Sequence, residues 1–208
     1  LIAAEPLLAF FAVSITLALA PGPDNIFVLT QSAQHGRAAG LLVTLGLCTG
    51  LLAHTAFVAL GIAAVVHASA IAFNSIKLVG ALYLLYLAWQ AWRSASRGAG
   101  RTLAPALGRL ALYRRGIFMN ITNPKVSVFF LAFLPQFSDP TRGALVVQLA
   151  LLGGIFIVAT LLVFGAIALL AGALGQQVEH SQRAQRVING MAAVIFAALA
   201  FKLLIIEH

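Results

Sequence analysis

Apolar residues run along this chain in stretches too long for one face of a soluble helix. Six stand out, at about 7–29, 38–66, 71–92, 115–137, 144–172 and 185–206. A helix rises about 1.5 Å per residue, so about 20 apolar residues cross the hydrocarbon of a bilayer. The second and fifth stretches exceed that length, which predicts tilt or ragged ends. The pattern predicts an all-α membrane protein with six transmembrane helices. Residues 1–208 then form a single transmembrane domain with no separate soluble module. Polar breaks separate the spans at 31–37, 67–70, 93–114, 138–142 and 175–183, and only 93–114 reads as a true loop.

That loop is basic. It carries Arg93, Arg97, Arg101, Arg109 and Arg114, with Arg115 beside it and no acid. Positive loops stay in the cytoplasm, which orients the spans. Arg37, Arg183 and Arg186 then also fall inside, Lys77 and Arg142 outside, and both termini are expected to be extracytoplasmic. Five spans would move one terminus, and Lys202 near the C-terminus weighs mildly against the orientation.

The basic connector 93–114 divides the chain into two halves, 1–92 and 115–208, that echo each other. Pro23-Asp24 in the first span parallels Pro124-Lys125 in the fourth. Gly40 and Gly50 correspond to Gly143 and Gly153, and Gly80 with Tyr86 to Gly190 with Phe196. Each half holds an odd number of spans, so the second must enter the membrane inverted. Two inverted three-helix repeats are expected, a recurrent transporter architecture.

The first and fourth spans are broken by proline motifs. Ala20-Pro21-Gly22-Pro23-Asp24-Asn25 lies in the middle of span one. Two prolines bracketing a glycine remove two backbone donors and leave preceding carbonyls without helical partners. In lipid such carbonyls are tolerated only under cover of protein or trapped water. A second half-helix is expected over 26–34. Asn120, Thr122, Asn123 and Pro124 interrupt span four, and Lys125 follows.

Two such breaks with opposite charges outline a binding cavity near the membrane midplane. Half-helix N-termini and Lys125 suit a carboxylate, while Asp24 suits an ammonium or a proton. Asn25, Asn120 and Asn123 offer hydrogen bonds to a ligand, with Thr122 beside them, and the Asn120/Asn123 turn joins Lys125 at the carboxylate end. The structural alternative is a fixed Asp24–Lys125 ion pair, with the prolines serving only helix packing. Charges inside membranes are more often functional.

Other positions carry weaker signals. His54 either lines the cavity and relays protons or bonds to a neighbouring helix. His35, His67, His180 and His208 fall near span ends without metal-ligand spacing, so no metal site is expected. Gly46 and Gly50 form a G-x-x-x-G that predicts a close helix contact, either internal or between subunits of a homo-oligomer. Tyr83, Tyr86, Trp89 and Trp92 read as interfacial anchors.

Composition narrows the function classes. The chain is 62% hydrophobic and 9% charged, far below the roughly 25% charge of a soluble domain. The net charge of +8 would suggest nucleic acid in a soluble protein. Here the basic residues sit between spans, where lipid headgroups and topology explain them, and no nucleic-acid partner is expected. The single Cys48 excludes an internal disulfide. Ala18-Leu19-Ala20 resembles a signal-peptidase site, but the segment before it carries Glu5 and no Lys or Arg. It reads as a retained first helix. No G-x-S-x-G, P-loop or H-E-x-x-H occurs. Neither an enzyme nor an ATP-driven pump is expected, and no cofactor.

Leu19-Ala20-Pro21-Gly22-Pro23-Asp24-Asn25 resembles the signature of the LysE/RhtB amino-acid exporter superfamily. So do the 36–50 stretch, Lys77-Leu78-Val79-Gly80-Ala81-Leu82-Tyr83-Leu84 and Gly116-Ile117-Phe118-Met119-Asn120-Ile121-Thr122-Asn123-Pro124-Lys125. Phe133-Leu134-Pro135-Gln136-Phe137 continues the similarity, and Ala88 departs from a common glycine. The resemblance implies efflux of amino acids or their derivatives across the bacterial inner membrane, with exchange for protons. A metal or small-cation exporter of similar layout, or a non-transporting membrane scaffold, are the alternatives.

Overall fold

Proline decides where the first helix ends. The chain is helical from α1 (Ala4–Leu19) until Pro21 and Pro23 withhold two N–H groups, and it restarts as α2 (Pro23–His35) at a 63° bend. This is a computed structural model, and it describes residues 2–68, 70–95, 106–174 and 182–205. After α2 come α3 (Arg37–Ala68), α4 (Ala70–Ala95), α5 (Arg109–Ile121) and α6 (Pro124–Val128). The chain closes with α7 (Leu145–Leu174) and α8 (Gln182–Ile205), and no strand occurs among the described residues.

Pro124 repeats the device in the second half. It cannot donate to the Asn120 carbonyl, and α5 meets the helix after it at 47°. Beyond α6 the turns first widen and then tighten. Leu134 donates its backbone N–H to the Phe129 carbonyl, five residues back, closing a π-helical stretch over Phe129–Phe133. A 3-10 turn over Leu134–Phe137 follows, where Pro135 again removes a helical donor.

Two helices are long and apolar enough by themselves to cross a membrane, within Arg37–Gly61 and Leu145–Ala173. Each bent pair meets the same standard when counted as one span, which brings the number to four among the described residues. Large apolar side chains on these long helices face outward: Phe57 is 65% exposed and Leu60 70%. On the outside of a membrane protein, such residues meet lipid.

Helix α3 packs most extensively against α5 and α7, and α4 against α8. The α3–α5 crossing is close because glycine meets glycine. A Cβ on Gly46 would run into the Tyr113 carbonyl and the Gly116 backbone, and one on Gly116 into the Val43 carbonyl. The G-x-x-x-G contact is thus internal, and Gly50 continues it by leaving room for the Asn120 side chain.

The helical structure runs further into the basic connector than the charge pattern suggests. Helix α4 continues through Ala95 and α5 already begins at Arg109. Arginine is a good helix former, so charge alone ends nothing. Arg97, Arg101, the 175–181 segment, His180 and His208 lie outside the described residues.

The interior divides into two apolar clusters. One gathers Phe10, Leu17, Leu51, Phe129, Phe130 and Phe156, the other Ala18, Val28, Val43, Leu47 and Phe164. Leu17 and Ala18 belong to different clusters, as do Phe156 and Phe164. The polar site lies in the seam between them.

Candidate functional site

The site begins with carbonyls that proline has orphaned. In an unbroken helix residue 21 would donate to Leu17, but Pro21 has no N–H. The Leu17 carbonyl instead accepts from Lys125 Nζ at 3.4 Å, and the Ala20 carbonyl accepts from the same ammonium at 3.0 Å. The bend also strands Ala18, whose carbonyl accepts from Asn25 Nδ2 at 2.7 Å. The broken end of α1 is therefore closed by a side chain from α2 and one from the other half of the chain. Gly22 makes space for this: a Cβ there would come within 3.2 Å of Lys125 Nζ.

The second break is closed in a related way. Asn123 accepts from the backbone N–H of Lys125 through Oδ1 at 3.0 Å, capping α6. Its Nδ2 donates to Asp24 Oδ2 at 2.7 Å. The Asn120 carbonyl, without the Pro124 donor, accepts from the Asn123 backbone N–H and lies 3.2 Å from His54 Nε2. The His54 ring lies tilted against Phe130, at 5.6 Å between centroids, and is not among the residues that line the cavity beside Asp24.

Asp24 and Lys125 are both buried, at 3% and 6% exposure. They do not form the direct ion pair that the structural alternative required. The ammonium is bonded to the α1 carbonyls and the carboxylate to Asn123, and no contact between the two charges is recorded among the described residues. One of the lysine's two acceptors, the Leu17 carbonyl, is the one that Pro21 orphans. Asp24 Oδ1 is left buried with no hydrogen-bond partner, and so is Asn120 Oδ1.

These groups enclose a cavity of about 10 Å³, lined by Asp24, Asn120, Lys125, Phe156, Thr160 and Phe164 among others. That is room for about one water-sized group. Pro21, Gly22, Pro23 and Pro124 act through the backbone, whereas Thr122 is exposed and bonds back to the Phe118 carbonyl at 2.8 Å. Among the sequence candidates, Asp24, Asn120 and Lys125 therefore meet at the cavity, and Asn123 links them.

Sequence reasoning missed Thr160. It is the sole hydroxyl in α7 and faces the cavity between Phe156 and Phe164, one helical turn from each. A polar residue in the otherwise apolar stretch that follows Gln148 was the available signal.

A family profile, the LysE type translocator, matches residues 15–207. The chain belongs to the LysE type translocator family. Among the relatives of this translocator is a homoserine/homoserine lactone efflux protein of Salmonella typhi, 39% identical over 78% of the chain and 79% of the relative. A leucine efflux protein of Salmonella choleraesuis is 27% identical over 91% of the chain and 90% of the relative. An uncharacterized membrane protein of Vibrio cholerae is 38% identical over 65% of the chain, which spans 66% of that relative's length. No solved structure matches the chain.

Beyond the cavity, ring contacts lead outward. Phe156 packs on Phe129 at 5.3 Å, Phe129 on Phe10 at 6.0 Å, and Phe10 on Phe137 at 5.1 Å. Phe137 in turn borders an open vestibule of about 540 Å³ with Glu5, Asp139 and Arg142 on its walls. Hydrogen bonds from the Thr141 side chain and backbone hold the exposed Asp139 carboxyl below its usual range. Gln148 clamps this loop, donating to the Asp139 carbonyl at 2.8 Å and accepting from the Asp139 N–H at 2.9 Å.

Proposed function

We propose that this protein is a secondary exporter of neutral amino acids or their derivatives across the bacterial inner membrane, exchanging them for protons by alternating access. The observation that carries the reading is the separate holding of Asp24 and Lys125 around one cavity between two broken helices. Two buried charges that do not pair directly are available to the two ends of a zwitterion. Asp24 binds the ammonium or the exchanged proton, and Lys125 turns to the carboxylate.

The names of the relatives support amino acids as substrates: homoserine and its lactone for one, leucine for another. The cavity of about 10 Å³ is too small for any amino acid, so loading requires the surrounding helices to part. That requirement suits a mechanism in which two halves rock about a central site. Six spans in two inverted repeats accord with the packing, since α3 lies on α7 and α4 on α8, each helix against its counterpart in the other half. The basic connector favours an orientation with both termini outside the cytoplasm. Among the described residues no group of three His, Cys, Asp or Glu side chains converges.

Inverted vesicles containing the protein test the reading. Labelled homoserine and leucine should accumulate inside when the vesicle lumen is acidified and stop accumulating when the proton gradient is collapsed. Accumulation indifferent to the gradient removes the proton exchange, and none for any amino acid removes the exporter.

A further inference from the structure

The cavity beside Asp24 has a chemical sign. Asp24 Oδ1 and Asn120 Oδ1 are buried acceptors without partners, and each residue is at least nine-tenths buried. The Thr160 hydroxyl joins them on the cavity wall from a residue 3% exposed, and no hydrogen bond is recorded for it among the described residues. Residues bearing these oxygens border one small space, and a buried acceptor left bare asks for a donor, because it has given up its water for nothing. The Asp24 carboxylate favours a donor that is also a cation.

Lys125 borders the same cavity but is engaged elsewhere, on the Leu17 and Ala20 carbonyls. An alkali cation in this space would add a second positive charge beside Lys125 with only Asp24 to balance both. A zwitterion brings its own carboxylate for Lys125 and leaves the site neutral. A primary ammonium also has three N–H donors, one for each oxygen.

We propose that Asp24, Asn120 and Thr160 form the subsite for the α-ammonium of the substrate. Thr160 is then the residue by which the site tells an amino acid from its deaminated acid. The three walls come from α2, α5 and α7, so the subsite is assembled from both halves of the chain. This assignment rests on the amino-acid reading of the same site. It moves Asn120 from the carboxylate end, where the sequence placed it, to the ammonium end.

The test compares two pairs of probes on the purified full-length protein: leucine with 4-methylpentanoate, and homoserine with 4-hydroxybutanoate. Each pair differs by the amine alone. The wild type should bind the amino acid more tightly than its partner acid. Thr160→Val keeps the shape and removes the hydroxyl. It should narrow that preference by about tenfold, the worth of a hydrogen bond to a charged group, with affinity for the deaminated acids unchanged. Thr160→Ser should retain the wild-type preference. The proposal is overturned by an undiminished preference in Thr160→Val, by equal loss of both probes in a pair, or by a wild type indifferent to the amine. Vesicle transport separates this from the exporter reading. Amine preference without transport refutes export and leaves the subsite standing, whereas transport with an unchanged preference in Thr160→Val refutes the subsite alone.

Discussion

Asn123 donates its carboxamide N–H to Oδ2 of Asp24 at 2.7 Å, joining residues 99 positions apart. The oxygen of the same carboxamide accepts from the Lys125 backbone. One side chain therefore caps the helix after the second break and orients the carboxylate of the first. Asn123→Asp would bring a second carboxylate against Asp24 in a buried place and should abolish efflux and lower the yield of folded protein. The exchange Asn123→Asp with Asp24→Asn keeps one acid and one amide at the contact. It should recover folded yield, read by size-exclusion profile and melting temperature. A double variant that folds no better than Asn123→Asp alone would show that the contact is not what sets the geometry.

Asp24→Asn by itself should eliminate proton-driven efflux while leaving membrane expression intact. The amide oxygen can still accept from Asn123, so the fold keeps its link, but the position can no longer carry charge or exchange a proton. Vesicle uptake beside an expression blot is the measurement, and normal gradient-dependent uptake would remove Asp24 from the coupling.

Lys125→Met should be costly. It takes the donor away from the Leu17 and Ala20 carbonyls and leaves Asp24 as an uncompensated buried charge, a loss of about 3–5 kcal/mol by analogy with broken buried pairs. Adding Asp24→Asn removes the stranded charge and should return part of that stability without returning transport. Thermal unfolding of both variants in detergent decides, and equal stability of the single and double variants would count against any coupling between the two charges.

Gly46→Val or Gly116→Val should destabilise the protein by about 1–3 kcal/mol or more, because the new side chain would meet backbone that cannot move aside. Gly154, where a Cβ would meet nothing within 4 Å, is the control position. A melting series should separate the crossing glycines from the control.

Charge counting predicts the substrate class. Asp24 and Lys125 are the buried charged residues among those described, so the site is neutral when empty and neutral with a zwitterion. Lysine would leave a positive charge without an acid. Uptake of labelled lysine should fall well below that of homoserine, and comparable rates would contradict the assignment.

Much of this was legible in the residues because its causes are local. Pro21, Pro23 and Pro124 withhold their donors whatever surrounds them, so both breaks can be read directly from the chain. The family motifs lie on the same segments. What the residues could not disclose is rotation and reach. Thr160 became part of the site because α7 turns that face inward, and an almost uniformly apolar helix carries no periodic signal for its rotation. A direct Asp24–Lys125 pair was open as an alternative, yet the lysine found carbonyls whose availability depends on the bend of another helix. The π-helical turn at Phe129–Phe133 likewise sits among packed rings from α1 and α7, which the local sequence does not disclose.

The capping of the first break by Lys125 also bears on how the protein is made. Synthesis runs from the N-terminus, so α1 and α2 enter the membrane before Lys125 has been added to the chain. During that interval the Leu17 and Ala20 carbonyls lack the ammonium that holds them in the finished fold. Completion of the early half thus waits on translation of the late one. A stop codon between the halves would release a fragment whose own backbone still lacks a partner.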